Sequence, residues 1–142
     1  MKLIILLIVS CLIGFSSCAP GGNITYGAKA LAARKDCSGP CNKPMPCEGK
    51  ELTLEMNLGN NNVMTTGSSV FVRDPENFDV TVRINFSETL SPELYGSIKD
   101  PKYKKFRVTG IVEGYDQYVQ EVCTRSYIFK VTDQKNFKLM EN

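Results

Sequence analysis

Between Glu51 and Leu58 every second side chain is apolar: Leu52, Leu54, Met56 and Leu58 alternate with Glu51, Thr53, Glu55 and Asn57. Successive side chains of an extended chain point to opposite faces, so this pattern predicts a strand with one buried and one wetted face. The same period returns in Val80, Val82, Ile84 and Phe86 against Thr81, Arg83 and Asn85, and again in Phe106, Val108, Gly110 and Val112. A strand over 68–73, through Val70, Phe71 and Val72, and a last one over 126–132 complete a set of five. Gly59-Asn60-Asn61-Asn62 and Asp74-Pro75-Glu76-Asn77 supply turns between the first three. Then the period changes. Ser91-Pro92-Glu93 has the form of a helix start, with a hydroxyl cap, a proline at the first position and an early acid. Leu94, Tyr95 and Ile98 give that helix a short apolar face, and Asp100-Pro101 closes it. Gly110 and Gly114 predict a sharp bend or bulge in the fourth strand. After the turn at 133–136, Phe137 and Leu139 return to the core.

Three strands, a short helix and two strands resemble the OB-fold, a small all-β Greek-key barrel of five strands with its helix between strands three and four. The resemblance covers about residues 48–142 and rests on element order and phrases such as Arg107-Val108-Thr109-Gly110-Ile111-Val112. It implies that strands one and four are antiparallel neighbours. It also implies that ligands meet the face of strands two and three and the loops joining strands one–two and four–five. A small open β-sandwich is the alternative architecture.

The N-terminus reads as an address. Lys2 precedes an apolar run of eleven, Leu3 to Ile13. A membrane-spanning helix needs about twenty such residues, so eleven fits a signal-peptide core within residues 1–17. Phe15-Ser16-Ser17-Cys18 resembles a bacterial lipobox, with Phe15 where leucine is usual. That resemblance implies cleavage before Cys18, lipidation of its thiol and anchoring to the cell envelope. Ala19, rather than aspartate, is compatible with the outer membrane. The alternative is an ordinary signal peptide with Cys18 as a disulfide partner. Residues 18–46 then read as anchor and tether, since 19–46 hold four of the seven prolines and four glycines, with one short ordered patch, a helical turn or two from Gly27 to Lys35 through Ala28, Ala30, Leu31, Ala32 and Ala33. The body is expected over 47–142.

Six cysteines are present. With Cys11 removed and Cys18 lipidated, Cys37, Cys41, Cys47 and Cys123 remain, an even number suited to two disulfides in an oxidising compartment. The barrel resemblance places Cys47, ahead of strand one, beside Cys123, after strand four. It therefore implies Cys47–Cys123, leaving Cys37–Cys41. The alternative joins Cys41 to Cys123 and Cys37 to Cys47. Four-thiolate zinc normally needs two close pairs, which Cys47 and Cys123 do not form. Cys-Ser-Gly-Pro-Cys has one residue more than a thioredoxin-type redox pair.

The chain has no histidine. That excludes Ser-His-Asp and Cys-His catalytic units and histidine-ligated metals. No paired carboxylates or Ser-Lys dyad stand at a telling spacing, so neither enzyme chemistry nor a cofactor is expected. With 17 basic and 15 acidic side chains the net charge is +2, too balanced to indicate a nucleic-acid binder by charge. Candidate binding residues are Arg83 and Asn85 on the outer face of strand three, and Tyr115, Tyr118 and Arg125 around the connection after strand four. The basic run containing Lys102, Lys104 and Lys105 is a third candidate, for lipid head groups or polyanions. Each has a plainer reading as solvated loop or protected strand edge. The expected role is a lipid-anchored binding or interaction module whose partners are the membrane and an envelope protein or glycan. The alternatives are an OB-type binder of nucleic acid or oligosaccharide, and a structural envelope lipoprotein.

Overall fold

A computed structural model describes residues 23–59, 63–75 and 79–141. The expected signal peptide and Cys18 lie outside these residues. In chain order the elements are β1 (Ile24–Tyr26), α1 (Gly27–Ala33), β2 (Glu51–Asn57), β3 (Val63–Thr66), β4 (Ser69–Arg73) and β5 (Thr81–Phe86). They continue with α2 (Pro92–Lys99), β6 (Lys105–Val119), β7 (Val122–Val131), a single 3-10 turn over Gln134–Asn136, and β8 (Phe137–Met140). The strands form one sheet in the order β1-β2-β6-β7-β5-β4-β3, with β8 added to β6.

The connectivity requires this sheet to curl. β2 and β3 are consecutive in the chain yet stand five strand spacings apart, about 24 Å in a flat sheet. The link between Asn57 and Val63 spans at most about 21 Å fully extended. Both strands also contribute to one core, with Leu54 and Met56 buried and Val63 packed against the same cluster. Val70, Val72, Val82, Ile84, Phe106, Val108, Val112, Tyr127 and Phe129 supply the rest of the inner face. Phe137 from β8 stacks on Phe106 and meets Phe86 edge-on, closing one end.

The antiparallel β2–β6 pair (Leu54 opposite Val108) is the expected neighbour relation of the first and fourth predicted strands. β5 and β7 run parallel, with Ile84 opposite Phe129. α2 starts as its sequence implies: the Ser91 hydroxyl accepts a hydrogen bond from Leu94 N–H at 3.2 Å, and Pro92 occupies the first turn. Gly110 lies where β6 passes from β2 toward β7, and a Cβ there would stand 2.6 Å from the Lys130 carbonyl oxygen. A Cβ at Gly114 would instead meet the flexible end of Met45. Gly110 is thus fixed by backbone contact and Gly114 by a side chain that can move.

Three expectations are corrected. Among the described residues the sheet has eight strands rather than five, because β1, β3 and β8 are short and carry little alternation. Segment 18–46 is not a free tether over its described part. β1 pairs in parallel with β2, and Ala28, Leu31, Cys37 and Met45 are buried in the core. The disulfides are Cys37–Cys47 and Cys41–Cys123, not Cys47–Cys123 and Cys37–Cys41. The reason is the length of β6. It continues past Ile111, the residue opposite the start of β2, to a two-residue turn at Gln120–Glu121. Cys123 therefore sits in β7 opposite Tyr118, seven residues or about 23 Å along β6 from the start of β2. Cys47 cannot reach it, whereas Cys41, at the tip of the loop closed by Cys37–Cys47, does.

Candidate functional site

Period-two alternation puts Phe71 and Arg73 of β4, Thr81 and Arg83 of β5, and Tyr115 and Gln117 of β6 on the outer face of the sheet. They form one cleft of 460 Å³ with Met64 of β3. The cross-strand register sets Met64 opposite Phe71 and Phe71 opposite Arg83. The Arg83 guanidinium lies over the Phe71 ring, 4.8 Å from its centroid, a cation–π arrangement. Arg83 Nε is shielded from solvent and has no hydrogen-bond partner among the described residues. Tyr115 is held by Gln117, whose Nε2 donates to the phenol oxygen at 3.0 Å. Among the described residues no carboxylate lines this cleft. Arginine offers five donors in a fixed fork, so a cleft with two arginines and an aromatic floor is suited to an anionic group carried by a planar or apolar body.

The other candidates lie elsewhere and have local work. Asn85 accepts a hydrogen bond from Ser69 Oγ at 2.9 Å, tying β4 to β5. Arg125 of β7 holds the disulfide loop in place. Its guanidinium donates to the carbonyls of Pro40 and Lys43, each at 2.9 Å, and pairs with Asp116. Asp116 also accepts from Asn42 N–H at 2.7 Å, and Tyr118 OH donates to Asn42 Oδ1. The Asn42 amide, followed by Arg125, holds the Asp116 carboxyl below its ordinary pKa. Tyr127 OH donates to the Cys37 carbonyl, and burial raises its phenol pKa. These groups fasten the 37–47 loop across the inner side of the β6–β7 hairpin. The sulfurs of Cys41 and Cys123 and a carboxylate oxygen of Asp116 lie within 4.8 Å of one another. The sulfurs are joined and the carboxylate is bound, which leaves no ligand set for a metal there.

Lys102 is spread between Asp100, Glu141 and the Tyr103 ring. Lys104 uses its backbone to bind Met140 and Leu58. Lys105 opens onto a separate depression beside Tyr26 and Glu55. The lysine run and the Arg83 cleft are different surfaces. Arg73 and Phe71 went unnoticed in the sequence as site residues, although their period-two relation placed them beside Arg83.

Two disulfides mark an oxidising, exported environment. Among the described residues no helix is long and apolar enough to cross a membrane. No protein-family model and no curated protein matches the chain. Among solved structures, the chain is similar to aspartyl tRNA synthetase from Entamoeba histolytica. The identity is 18% and the TM-score 0.42, over 67% of this chain and 19% of that one.

Proposed function

We propose that this chain is a non-enzymatic binding module of the cell envelope that takes an extended anionic partner in the outer-face cleft. One observation carries the reading: two arginines, Arg73 and Arg83, share a cleft that no carboxylate lines among the described residues, where Arg83 Nε is shielded without a partner. A shielded, unsatisfied donor costs free energy that an acceptor on a ligand recovers. The curled, mostly-β sheet supports an OB-like architecture for the module. The lipobox-like Phe15-Ser16-Ser17-Cys18 supports a lipid anchor, with the outer membrane as its site. If Cys18→Ser still fractionates with membranes like the parent protein, the anchor falls out of this reading.

Phe71 and Tyr115 beside Arg83 favour a second reading, an OB-type binder of nucleic acid or oligosaccharide, since aromatic faces stack bases and sugars. Binding to a labelled oligothymidylate and to polygalacturonate tests both. Arg83→Ala is expected to weaken whichever polyanion binds by roughly tenfold, the scale of a charge-assisted hydrogen bond. Changing Lys102, Lys104 and Lys105 to glutamine is expected to leave it unchanged. The reverse pattern would move the site to the lysine run. Oligothymidylate binding that falls steeply with added salt would favour the nucleic-acid reading.

A further inference from the structure

β3 is the last strand of the sheet. It pairs with β4 on one side, and among the described residues no strand pairs its other side. The register joins Thr66 to Ser69, Thr65 to Val70, Met64 to Phe71 and Val63 to Val72. Gly67 and Ser68 form the two-residue turn, with Gly67 at φ +44° in its first position, where such turns favour glycine. In a two-residue hairpin the pair flanking the turn exchanges both backbone hydrogen bonds, and bonded and non-bonded pairs alternate from there. Thr66 and Met64 therefore bond to β4. Val63 and Thr65 direct their N–H and C=O groups to the open side.

Exposed edges are normally guarded by lysine, proline or a bulge. β3 reads Val-Met-Thr-Thr and has none of these, and Met64 is 58% exposed. The edge is also flanked by a cleft on each face. The outer one is the Arg83 cleft. The other, of 210 Å³, lies between Val63 and Thr65 on one side and Leu58, Ile98 and Tyr103 on the other, with Lys99 and Asp100 also lining it. An added strand places alternate side chains on opposite faces, which matches this pair of clefts.

We propose that β3 receives an extended segment of a partner polypeptide as a further strand. Acidic side chains of that segment lie on the outer face toward Arg73 and Arg83, and apolar ones enter the cleft over Ile98 and Tyr103. The inference rests on the outer cleft being the binding surface and makes its ligand a peptide. Val63 and Thr65 supply the backbone donors and acceptors, and the arginines supply the charge preference.

The probe is an acetylated, fluorescein-labelled octapeptide of alternating Glu and Val, added to the full chain with its disulfides intact. It is expected to bind, to slow hydrogen exchange at the Val63 and Thr65 amides, and to lose roughly tenfold or more in affinity when Lys replaces Glu. Thr65→Pro removes a donor that points away from β4, so the hairpin ladder is retained while binding is lost. Methylating alternate peptide nitrogens gives the same loss with the protein unaltered, should Thr65→Pro fail to fold. Binding that survives both changes, with Val63 and Thr65 exchange unaffected, overturns strand addition. If it still depends on Arg83, the outer-cleft reading stands. No binding of the octapeptide beside Arg83-dependent binding of oligothymidylate or polygalacturonate also overturns the proposal and leaves the cleft to those ligands. Indifference of every probe to Arg83 removes both readings.

Discussion

Replacing Cys41 and Cys123 together by alanine is expected to lower the unfolding free energy by about 4–5 kcal/mol, read from urea denaturation of the oxidised protein. The bridge spans 82 residues in sequence, so its removal releases a long loop in the unfolded chain. The Cys37–Cys47 bridge spans only 10, and the same loop-entropy argument gives it about 2.5–3 kcal/mol. Both changes leave the sheet's pairing intact, but the first also frees the tip of the loop that Arg125 and Tyr118 hold to the hairpin. A loss below about 2 kcal/mol for the Cys41 and Cys123 pair would contradict the loop-entropy account of this bridge.

Leu31→Ala is expected to cost about 3 kcal/mol, as for a fully buried leucine whose surroundings close only partly on the gap. Leu31 is 0% exposed and sits on a helix of seven residues, too short to persist alone. α1 is held by the sheet, and Leu31 is its main apolar contact with the core. Thermal or urea unfolding checks this. A cost under about 1 kcal/mol would return residues 24–46 to the role of tether.

The short helix of α1 was legible in its alanines and Leu31, but its docking into the core and the choice between the two disulfide pairings were not. β2, β5 and α2 were legible because their signals are local: strict alternation over 51–57 and 81–86, and the Ser91-Pro92 start. β1 was not, because three residues that pair in parallel leave no period, and the prolines and glycines around them suggest a loose chain. β3 was hidden because its four residues, Val-Met-Thr-Thr, are too few to show a period. The end of β6 was misread because Gln120 and Glu121 take positive φ, 48° and 66°, where a hairpin turn usually advertises itself with Asn or Gly. That misreading carried the disulfide pairing with it. Of the candidate site, Arg83 and Tyr115 were legible one at a time. Their meeting with Arg73 and Phe71 depends on the register of four strands and the curl of the sheet, which no single segment encodes. Arg125 and Tyr118 looked like ligand contacts, since an arginine and a tyrosine near a loop have the same appearance whether they hold a ligand or the protein's own backbone.

The function turns on which surface meets an anion. Backbone and arginine side-chain NMR signals, followed while polygalacturonate, oligothymidylate or the Glu-Val octapeptide is titrated in, decide this residue by residue. The account predicts that Arg83 Nε shifts first, with Phe71, Arg73 and Tyr115, while Lys102, Lys104 and Lys105 stay in place. Shifts confined to the lysines, with Arg83 Nε unmoved at saturation, would contradict it.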